Sequence, residues 1–490
     1  MKKCSKIIVL SFFMIFGISA ISPITFASSC NAVAICTEPN NQISQDLCSD
    51  GEGGAFITWT DNRSGLGYDI YAQKVDVNGE RVWEFGGIAI YVGSGSQKYS
   101  KICSDGEGGA IIAWKDQLNE TTYDIYTQRI NANGSLLWNA SGILVFPEVT
   151  DYSLFRLCSD KSGGAIVAWE DSDIHAQRIN ANGTLIWDIN SVIICNATGR
   201  QEPIDVFSDD DGSTFFSWQD NRNGPESDIF AQKVDINGII LWDSNGTEIC
   251  TANDHQLTPR ICTDGAGGAI VNWLDLRGSA VQIYAQHISS TGNIQWVSNG
   301  TLLANYSEGI PIEMCSDNEG GAIIVFRYFF DVLRNLYALR INSNGTILYG
   351  TLIHTSGNSP MSNWKICSDN AGGAFIAWSR GENPLEHDIL AQRVDSNGNI
   401  DWPTTGKVIC DAPGHQSSVN IISNGLGSTF ISWVDSIYGE NNADIYLSLL
   451  EKRKEQGTII FSNFYLPLII LAILALVIVS RRHVSQNSKN

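Results

Sequence analysis

The chain has 490 residues, 46 of them glycine, and carries 52 acidic against 31 basic side chains, for a formal net charge of −21 at pH 7. An acidic excess of this size lacks the basic footprint that nucleic acid and anionic lipid surfaces require, so neither is expected as a partner. It suits a solvated globular surface.

The N-terminal segment predicts export. Residues 1–28 begin with two lysines, continue with an apolar stretch too short for a comfortable membrane span, and end in small residues near Ala27, which is the pattern of a cleaved secretory signal. Lipid attachment at Cys30 is an alternative, but the preceding FASS is a poor match to the small-residue box that such processing uses.

One phrase recurs eight times after this signal. It reads SDGEGGAFITWTD from Ser49, and its aromatic anchor returns every 49 to 55 residues. The anchors are Trp59, Trp114, Trp169, Trp218, Trp273, Phe326, Trp378 and Trp433. Most copies are followed by a second phrase, such as DIYAQKVDVNG. A third phrase is built around Trp83 and its equivalents. Short alternating runs bounded by Gly, Asn and Asp indicate strands, and we place the fourth strand directly after the Asn-Gly turn.

Four-stranded units of this length predict the blades of a propeller. The eighth unit stops after its third strand, whereas residues 31–36 near the N-terminus read NAVAIC and match the fourth-strand endings SVIIC, TEIC and KVIC. Because an unpaired strand edge is a liability, we expect the N-terminal strand to complete the last blade. The prediction is an all-β, eight-bladed, closed propeller over residues 29–450.

The C-terminal segment predicts a membrane anchor. Residues 458–480 are uncharged and apolar over a length that spans a bilayer, after a short tether at 451–457 and before a tail at 481–490. Together with the signal, this predicts a single-pass cell-membrane protein with an extracellular propeller and a cytoplasmic tail. Ten Asn-X-Ser/Thr sequons would make it a glycoprotein in a host that modifies them.

The cysteines and the turn aspartates both have structural interpretations. Six cysteines share one repeat position, and because successive blades hold that position too far apart for bridging, we expect small buried hydrophobic side chains. Bridges from Cys36 to Cys48 and from Cys250 to Cys262 are not expected either. The Asp of each SDGEGG-like turn should cap its own backbone. A calcium loop is the alternative, but most copies offer one carboxylate, so we predict no metal and no cofactor.

Two groups of residues are candidate binding residues. The first consists of acidic residues two positions after an anchor tryptophan, in three blades followed by an arginine: Asp61 with Arg63, Asp220 with Arg222, and Asp275 with Arg277. Because they are repeated, we expect them to satisfy loop amides or to pair with those arginines, and ligand binding is the alternative. Asp116, Asp171 and Asp435 occupy the same position, and a catalytic pair among such acids would need environments that separate their pKa values.

The second group lies in the sixth repeat, where Arg327, Tyr328, Phe329 and Phe330 replace the usual polar residues. Large apolar side chains on a loop indicate a contact patch, and packing beneath their own loop is the alternative. The loops between second and third strands, and between fourth and next first strands, vary in length and share one face. Variable loops on a rigid scaffold are where binding usually occurs.

The phrases SDG-GGA-I-W-D-R and DIYAQRVD-NG resemble propeller repeats of exported bacterial and archaeal proteins. They are similar to the periplasmic Tol-system propeller and, more loosely, to sialidase-type repeats, although the arginine triad with Tyr, Glu and Asp of sialidases has no match in this chain. The resemblance runs from Asn31 to about Leu450 and implies a ligand-binding or adhesive cell-surface module for a glycan or a protein. The alternative is an extracellular glycan-active hydrolase or lyase, which predicts acids and arginines converging at the channel mouth.

Overall fold

The chain folds into eight antiparallel sheets of four strands each, which confirms the predicted eight-bladed propeller. The computed structural model describes residues 30–150, 154–187, 191–305, 312–330, 333–355, 357, 361–383, 386–436 and 442–453. Within these residues every named element is a strand. Inner strands of adjacent blades pack side by side, and the inner strand of blade 1 contacts those of blades 2 and 8, so the ring is closed.

In each of the first four blades the strands follow one another from the inner to the outer edge. They are β2 Gln42–Ser49, β3 Ala55–Asp61, β4 Asp69–Val75 and β5 Ile88–Tyr91 in blade 1; β6 Gln97–Ser104, β7 Ala110–Gln117, β8 Thr122–Ile130 and β9 Ile143–Thr150 in blade 2; β10 Phe155–Ser159, β11 Ala165–Asp171, β12 Asp173–Ile179 and β13 Val192–Cys195 in blade 3; and β14 Gln201–Ser208, β15 Thr214–Asp220, β16 Asp228–Val234 and β17 Thr247–Cys250 in blade 4.

The other four blades follow the same order. They are β18 Gln256–Thr263, β19 Ala269–Asp275, β20 Gln282–Ile288 and β21 Thr301–Asn305 in blade 5; β22 Glu313–Ser316, β23 Ala322–Phe330, β24 Leu333–Ile341 and β25 Ile347–Thr355 in blade 6; β26 Met361–Ser368, β27 Ala374–Asn383, β28 Glu386–Val394 and β29 Lys407–Cys410 in blade 7; and β30 Gln416–Ser423, β31 Ser428–Asp435, β32 Asp444–Glu451 and the N-terminal β1 Val33–Cys36 in blade 8.

The N-terminal strand closes the ring as predicted. Strand β1 pairs antiparallel with β32, with Val33 opposite Leu447. A disulfide between Cys30 and Cys410 adds a covalent link from this segment to the outer strand of blade 7. The sequence repeats carry no sign of this bridge, because Cys30 lies outside the repeated register and has no counterpart in other blades.

The anchor tryptophans form the core between blades. All seven are fully buried, and each ring packs beside third-strand side chains, as Trp59 does against Tyr71 with ring centroids 6.3 Å apart. Burying an indole of this size contributes about 4 to 6 kcal/mol by area. The predicted core role of these residues agrees with their burial.

The fourth strand starts later than the sequence predicts. After the Asn-Gly turn of blade 1 only one bridge forms, between Val75 and Arg81, and β5 begins at Ile88. The intervening Trp83 instead donates its indole N–H to the carbonyl of Ala132 in blade 2, over 3.1 Å. This segment therefore joins neighbouring blades instead of extending its own sheet.

The turn aspartates cap their own backbone as predicted, and they also bind a base. Asp50 Oδ1 accepts a 2.8 Å hydrogen bond from the Gly54 amide, while its other oxygen lies 3.2 Å from Lys74 Nζ. Blade 8 has Asn424 in place of the aspartate and Leu449 in place of the lysine. The amide of Asn424 still caps the turn, so the acid and the base are lost together.

The six cysteines of the repeat position are free thiols, buried or half-buried. Burial raises the pKa of the Cys158 thiol to about 12 and that of Cys367 to about 12. These side chains therefore remain neutral and pack as small apolar groups, as expected. Cys36, Cys195 and Cys250 on outer strands are also free thiols.

The predicted membrane topology is not part of the described structure. The signal at 1–28, the anchor at 458–480 and the tail at 481–490 lie outside the described residues, as does the tether beyond residue 453. No helix capable of crossing a bilayer occurs among the residues that the structure does describe. Anchoring and extracellular display stay predictions.

Candidate functional site

The two variable loop classes lie on one face of the propeller, which we term the loop face. The Asn62 amide, in a loop between second and third strands, donates a 2.8 Å hydrogen bond to the Asn41 carbonyl, in a loop entering an inner strand. The chain leaves from the other side, the exit face, where the Arg453 amide donates to Asp401 over 3.1 Å in a third-to-fourth strand connection. The loop face is therefore turned away from the chain's exit.

The inner strands carry a repeated irregularity near the loop face. In six blades the pairing register slips at the same repeat position, which is a β-bulge. Five non-glycine residues there adopt positive φ between 50° and 59°: Ser44, Tyr99, Thr258, Asn363 and Ser418. This conformation costs energy, most of all for bulky or β-branched residues, and bulges re-aim side chains beside binding sites.

Two residues after the bulge position, a ring of charged residues surrounds the central channel. It consists of Asp46, Lys101, Arg156, Asp205, Arg260, Glu313, Lys365 and the uncharged Asn420. Neighbouring members pair, with Lys365 Nζ 2.7 Å from Glu313 and Lys101 Nζ 3.9 Å from Asp46. Sequence analysis missed this ring, although its signal was present: the position two residues before the repeated cysteine changes charge from blade to blade.

The lysines of the ring are its more exposed members. The side chains of Lys101 and Lys365 are 42% and 41% exposed, whereas those of Asp46 and Glu313 are 19% and 13% exposed. Backbone amides hold the carboxylates back, as the Ile102 amide does by donating to Asp46 over 3.2 Å. The ring therefore presents positive charge to the channel of a strongly acidic protein.

Bulges and ring meet in a cavity of about 240 Å³. Its walls come from the inner strands of five blades, and the lining residues are Gln45, Lys101, Glu313, Asn363, Trp364, Lys365, Ser418, Val419 and Asn420. This is below the roughly 300 Å³ at which pockets for drug-sized molecules begin. The cavity suits one small polar group.

A second set of polar side chains follows the anchor aromatics by one residue. Several of them reach the inner strand of the next blade: Glu170 Oε1 accepts from the Ile204 amide over 2.7 Å, and Ser379 Oγ donates to the Gln416 carbonyl over 2.9 Å. Arg327, predicted as a binding residue, belongs to this set. Its guanidinium lies 5.8 Å from the ring centroid of Trp364, which belongs to the inner strand of blade 7. Arg327 therefore packs against the side of this strand that faces away from the channel.

Glu170, the member of this set in blade 3, lines a pocket. It is 6% exposed, and its Oε2 atom has no hydrogen-bond partner among the described residues. Burial raises the pKa of this carboxyl to about 7, against the Ile204 amide, which lowers it. The pocket, of about 220 Å³, is lined by Thr150, Glu170, Asp171, Ser172, Arg200, Gln201 and Glu202.

Asp171 lines the same pocket and has no indole partner, a state it shares with its counterparts in blades 2 and 8, where the indole N–H groups of Trp114 and Trp433 also have no partner in the described structure. In blade 4, the Trp218 indole N–H donates to Asp220 over 2.8 Å, and blades 1 and 5 repeat this bond. The indole N–H of Trp169 in blade 3 has no partner within the described ranges, and Ser172 follows with φ of 64°. Asp171 therefore lines the pocket without a bond from the Trp169 indole in the described structure.

The predicted Asp–Arg pairs lie between blades. Arg63, Arg222 and Arg277 contact the aspartates of their own blades at 2.6, 2.6 and 2.5 Å, and all three carboxylates are fully buried. The guanidinium of Arg222 also lies 3.7 Å from the ring centroid of Phe230. This geometry matches the supporting role, and ligand binding by Asp61, Asp220, Asp275 and their arginines stays a prediction.

The sixth blade has strand where the sequence predicts a loop. Strand β23 runs through Phe330 and pairs with β24, because Tyr328 and its neighbours continue the alternating pattern. The Tyr328 ring meets Tyr337 edge-on with centroids 5.9 Å apart. The side chains of Phe329 and Phe330 lie outside the described residues, so their contact-patch role stays a prediction.

Comparisons with known proteins give a fold likeness. No family model and no curated protein matches the chain. A solved protein of unknown function from Dyadobacter fermentans DSM 18053 is 9% identical at a TM-score of 0.40, covering 86% of this chain and 98% of its own. A PL25 ulvan lyase is 11% identical at 0.47, covering 78% and 98%, and an α-L-arabinanase of Penicillium chrysogenum is 10% identical at 0.37, covering 86% and 98%. At these values the likenesses carry no argument about activity.

Among the described residues, no group of three His, Cys, Asp or Glu side chains is arranged to hold a metal ion.

Proposed function

We propose that this chain is a glycan-directed propeller that binds a saccharide bearing anionic groups at the loop-face mouth of its channel. The observation that supports this proposal is the cavity in which strained bulges from different blades meet exposed lysines. Strained backbone conformations persist only where the surrounding structure enforces them, and they cluster at binding sites. In this chain the strain lies at the β-bulges of the inner strands.

The chemistry of the cavity favours an anionic saccharide. Lys101 and Lys365 supply ammonium donors for carboxylate or sulfate, and charge-assisted hydrogen bonds are about twice as strong as neutral ones. Asn363 and Ser418 supply neutral partners for hydroxyls. Tyr99, at the bulge position of blade 2 and outside the cavity lining, is 45% exposed and carries an aromatic ring of the kind on which sugar rings stack.

The test is binding of the full chain to an array of uronate-containing, sulfated and neutral glycans. We expect binding to acidic glycans that weakens with salt, and about a 10-fold loss for Lys101→Met or Lys365→Met. Lys161→Met is the matched control, because Lys161 is equally exposed, at 42%, but lies on the exit face. Equal loss in the control, or no binding to acidic glycans, would contradict the proposal.

Cleavage of the bound glycan is the second candidate, and one observation favours it. The alternative function predicts acids and arginines converging at the channel mouth, and Glu170, Asp171, Arg200 and Glu202 line one pocket on the loop face, beside the entry to blade 4. Adhesion without turnover is the function that remains if no product forms. Product release measured on the same array separates the two.

We also propose that the propeller is displayed at the cell surface. The chain leaves from the exit face, so an anchor at 458–480 would leave the loop face exposed to the surroundings. Protease treatment of intact cells should remove the propeller and spare a short C-terminal fragment. Protection of the whole chain in intact cells would overturn this arrangement.

A further inference from the structure

We infer that the channel holds a carboxylate-binding site between blades 2 and 3, formed by the guanidinium of Arg156 and the backbone amide of Leu157, with Lys101 at the adjacent position of the ring of charged residues (the channel ring). This inference rests on the proposed glycan binding, and it names the uronate group as the part of the saccharide that is recognised. Its basis is an arrangement that is complete at other blades and lacks one member at this junction.

The complete arrangement occurs where blade 1 meets blade 2. The carboxylate of Asp46 accepts from the Ile102 amide over 3.2 Å, and Lys101, which directly precedes that amide, places its Nζ atom 3.9 Å from the same oxygen. Where blade 4 meets blade 5, Asp205 accepts from the Ile261 amide over 3.1 Å. At both junctions an acid of the preceding blade binds the amide that follows a cation of the channel ring.

Three of the four cations in the channel ring follow an acid at the ring position of the preceding blade. They are Lys101 after Asp46, Arg260 after Asp205, and Lys365 after Glu313. Arg156 is the exception, because the residue before it in the ring is Lys101. Among the described residues its guanidinium forms no ion pair, and it donates only to the carbonyl of Phe155, over 3.2 Å. This junction therefore has the cation and lacks the acid.

The Leu157 amide faces the channel. In the hairpin of blade 3 the Asp160 amide donates to the Gly164 carbonyl over 3.1 Å, and Leu157 lies three residues earlier, opposite Val167. Because hydrogen-bonded and non-hydrogen-bonded pairs alternate, Leu157 belongs to a non-hydrogen-bonded pair. Its N–H therefore points away from β11, as that of Ile102 does from β7 in blade 2. The part of the chain that the structure describes contains no acceptor for it.

The guanidinium of Arg156 lies on the same edge of the strand. Phe155 and Leu157 are two residues apart and both belong to non-hydrogen-bonded pairs, so the carbonyl of one and the amide of the other point to the channel. Arg156 donates to that carbonyl, which brings its remaining N–H groups close to the amide. Two kinds of donor thus converge where blades 2 and 5 hold a carboxylate.

The acids nearest to Arg156 are held by other groups. Burial raises the pKa of the Glu170 carboxyl to about 7, against the Ile204 amide and Arg156, which lower it, and the Ile204 amide occupies its Oε1 atom. Asp205, the next member of the channel ring, accepts from the Ile261 amide. Neither acid forms an ion pair with Arg156 within the described ranges. The guanidinium therefore retains donors for a group that the chain does not supply.

The chemistry of the site favours a carboxylate. A guanidinium can bind both carboxylate oxygens through two parallel hydrogen bonds, and the groups at the two equivalent positions, Asp46 and Asp205, are themselves carboxylates. The Lys101 side chain, 42% exposed, adds positive charge at the same junction. Tyr99, two residues before Lys101, gives a sugar ring an aromatic surface on the loop-face side. A uronate residue combines these two features.

Calorimetric titration of the full chain with polygalacturonate, alginate and desulfated chondroitin tests the inference, with the carboxyl-reduced form of each as the uncharged probe. We expect binding that is lost on carboxyl reduction and weakened about 10- to 100-fold in Arg156→Gln. Arg156→Lys keeps the charge without the planar fork, so it should recover part of the affinity. Arg260→Gln is the matched control, because Arg260 holds the same position with Asp205 and Glu313 on either side, and its affinity should stay close to that of the wild type.

Three results would overturn the inference. Equal binding by the wild type and Arg156→Gln removes this site and leaves the proposed glycan binding intact. Stronger binding of carrageenan, which carries sulfate and no uronate, contradicts the choice of a carboxylate. If no acidic glycan binds, the proposed function fails, and the site is then decided with galacturonate alone. This small probe should raise the thermal unfolding midpoint of the wild type and not that of Arg156→Gln, and equal shifts remove the site as well.

Discussion

Asn420 of the last blade donates a 2.8 Å hydrogen bond to Asp46 of the first, across the seam where the two ends of the chain meet. Polar contacts of the inner ring therefore continue across this seam, where the polypeptide backbone is interrupted. Strand β1 seals the outer side of the same blade, and the Cys30–Cys410 bridge binds it to blade 7. Closure therefore depends on several contacts, which also include the hydrogen bond from the Gln42 amide to the Ala443 carbonyl, over 2.6 Å.

The disulfide should contribute much of the stability of the closed ring. Removing it by Cys30→Ser frees a loop of 380 residues, and we expect the free energy of unfolding to fall by about 2 to 5 kcal/mol. Urea unfolding of the oxidised chain measures this. Reducing agent should destabilise the wild type by a similar amount and leave Cys30→Ser unchanged; a wild type insensitive to reduction would contradict the prediction.

The Asp–Arg pairs between blades should matter for stability and not for binding. Asp220→Ala leaves Arg222 half-buried without its carboxylate and Trp218 without an acceptor, so we expect a loss of about 3 kcal/mol. Asp116→Ala is the control, because Leu118 replaces the arginine in that blade. Glycan binding of folded Asp220→Ala should equal that of the wild type, and a selective loss of binding would support the ligand role instead.

Blade 8 suggests a double substitution in blade 1. Asp50→Asn with Lys74→Leu reproduces the Asn424 and Leu449 pair, in which the turn cap is kept and both charges are absent. We expect the double variant to be more stable than the sum of the single effects predicts, by about 0.5 to 3 kcal/mol. Denaturant unfolding of the wild type, the two single variants and the double variant gives this coupling energy. Strict additivity would show that the ion pair contributes nothing.

Stability should depend on pH through Glu170. Because its folded-state pKa is raised from 4.5 to about 7, the folded chain retains a proton that the unfolded chain has released between these values. The free energy of unfolding therefore decreases as pH rises through this window, by about 3 kcal/mol in total. Glu170→Gln should lack this component, so urea unfolding at pH 4.5 and pH 8 should separate the two proteins. A parallel pH dependence would contradict the raised pKa.

The repeats determine the fold, and the prediction from sequence succeeds wherever a residue acts in the same way in each blade. Turn aspartates, anchor tryptophans and the closing strand all belong to this class. Glu170 and the lysines of the channel ring do not, because they occupy positions at which each blade carries a different side chain. Their partners lie in another blade, 34 residues away in sequence for Glu170 and 52 for Lys365, and only the register of the bulged strands brings them together.

The sequence also misplaced two segments for physical reasons. The residues around Trp83 alternate like a strand but bind the next blade, and the end of the sixth repeat continues its sheet through Phe330. In both cases the local pattern is compatible with strand and with loop. Contacts with a neighbouring blade, which the pattern does not encode, decide between them.

The position of β32 has a mechanical consequence. This last strand lies between β31 and β1, so a pull on the chain at Arg453 loads two hydrogen-bond ladders at once instead of peeling a single edge. Force that displaces β32 must also act on the N-terminal strand, which the Cys30–Cys410 bridge fastens to the adjacent blade. The terminus from which the molecule is held is thus among its most strongly clamped parts, and traction at that end is spread over two blades.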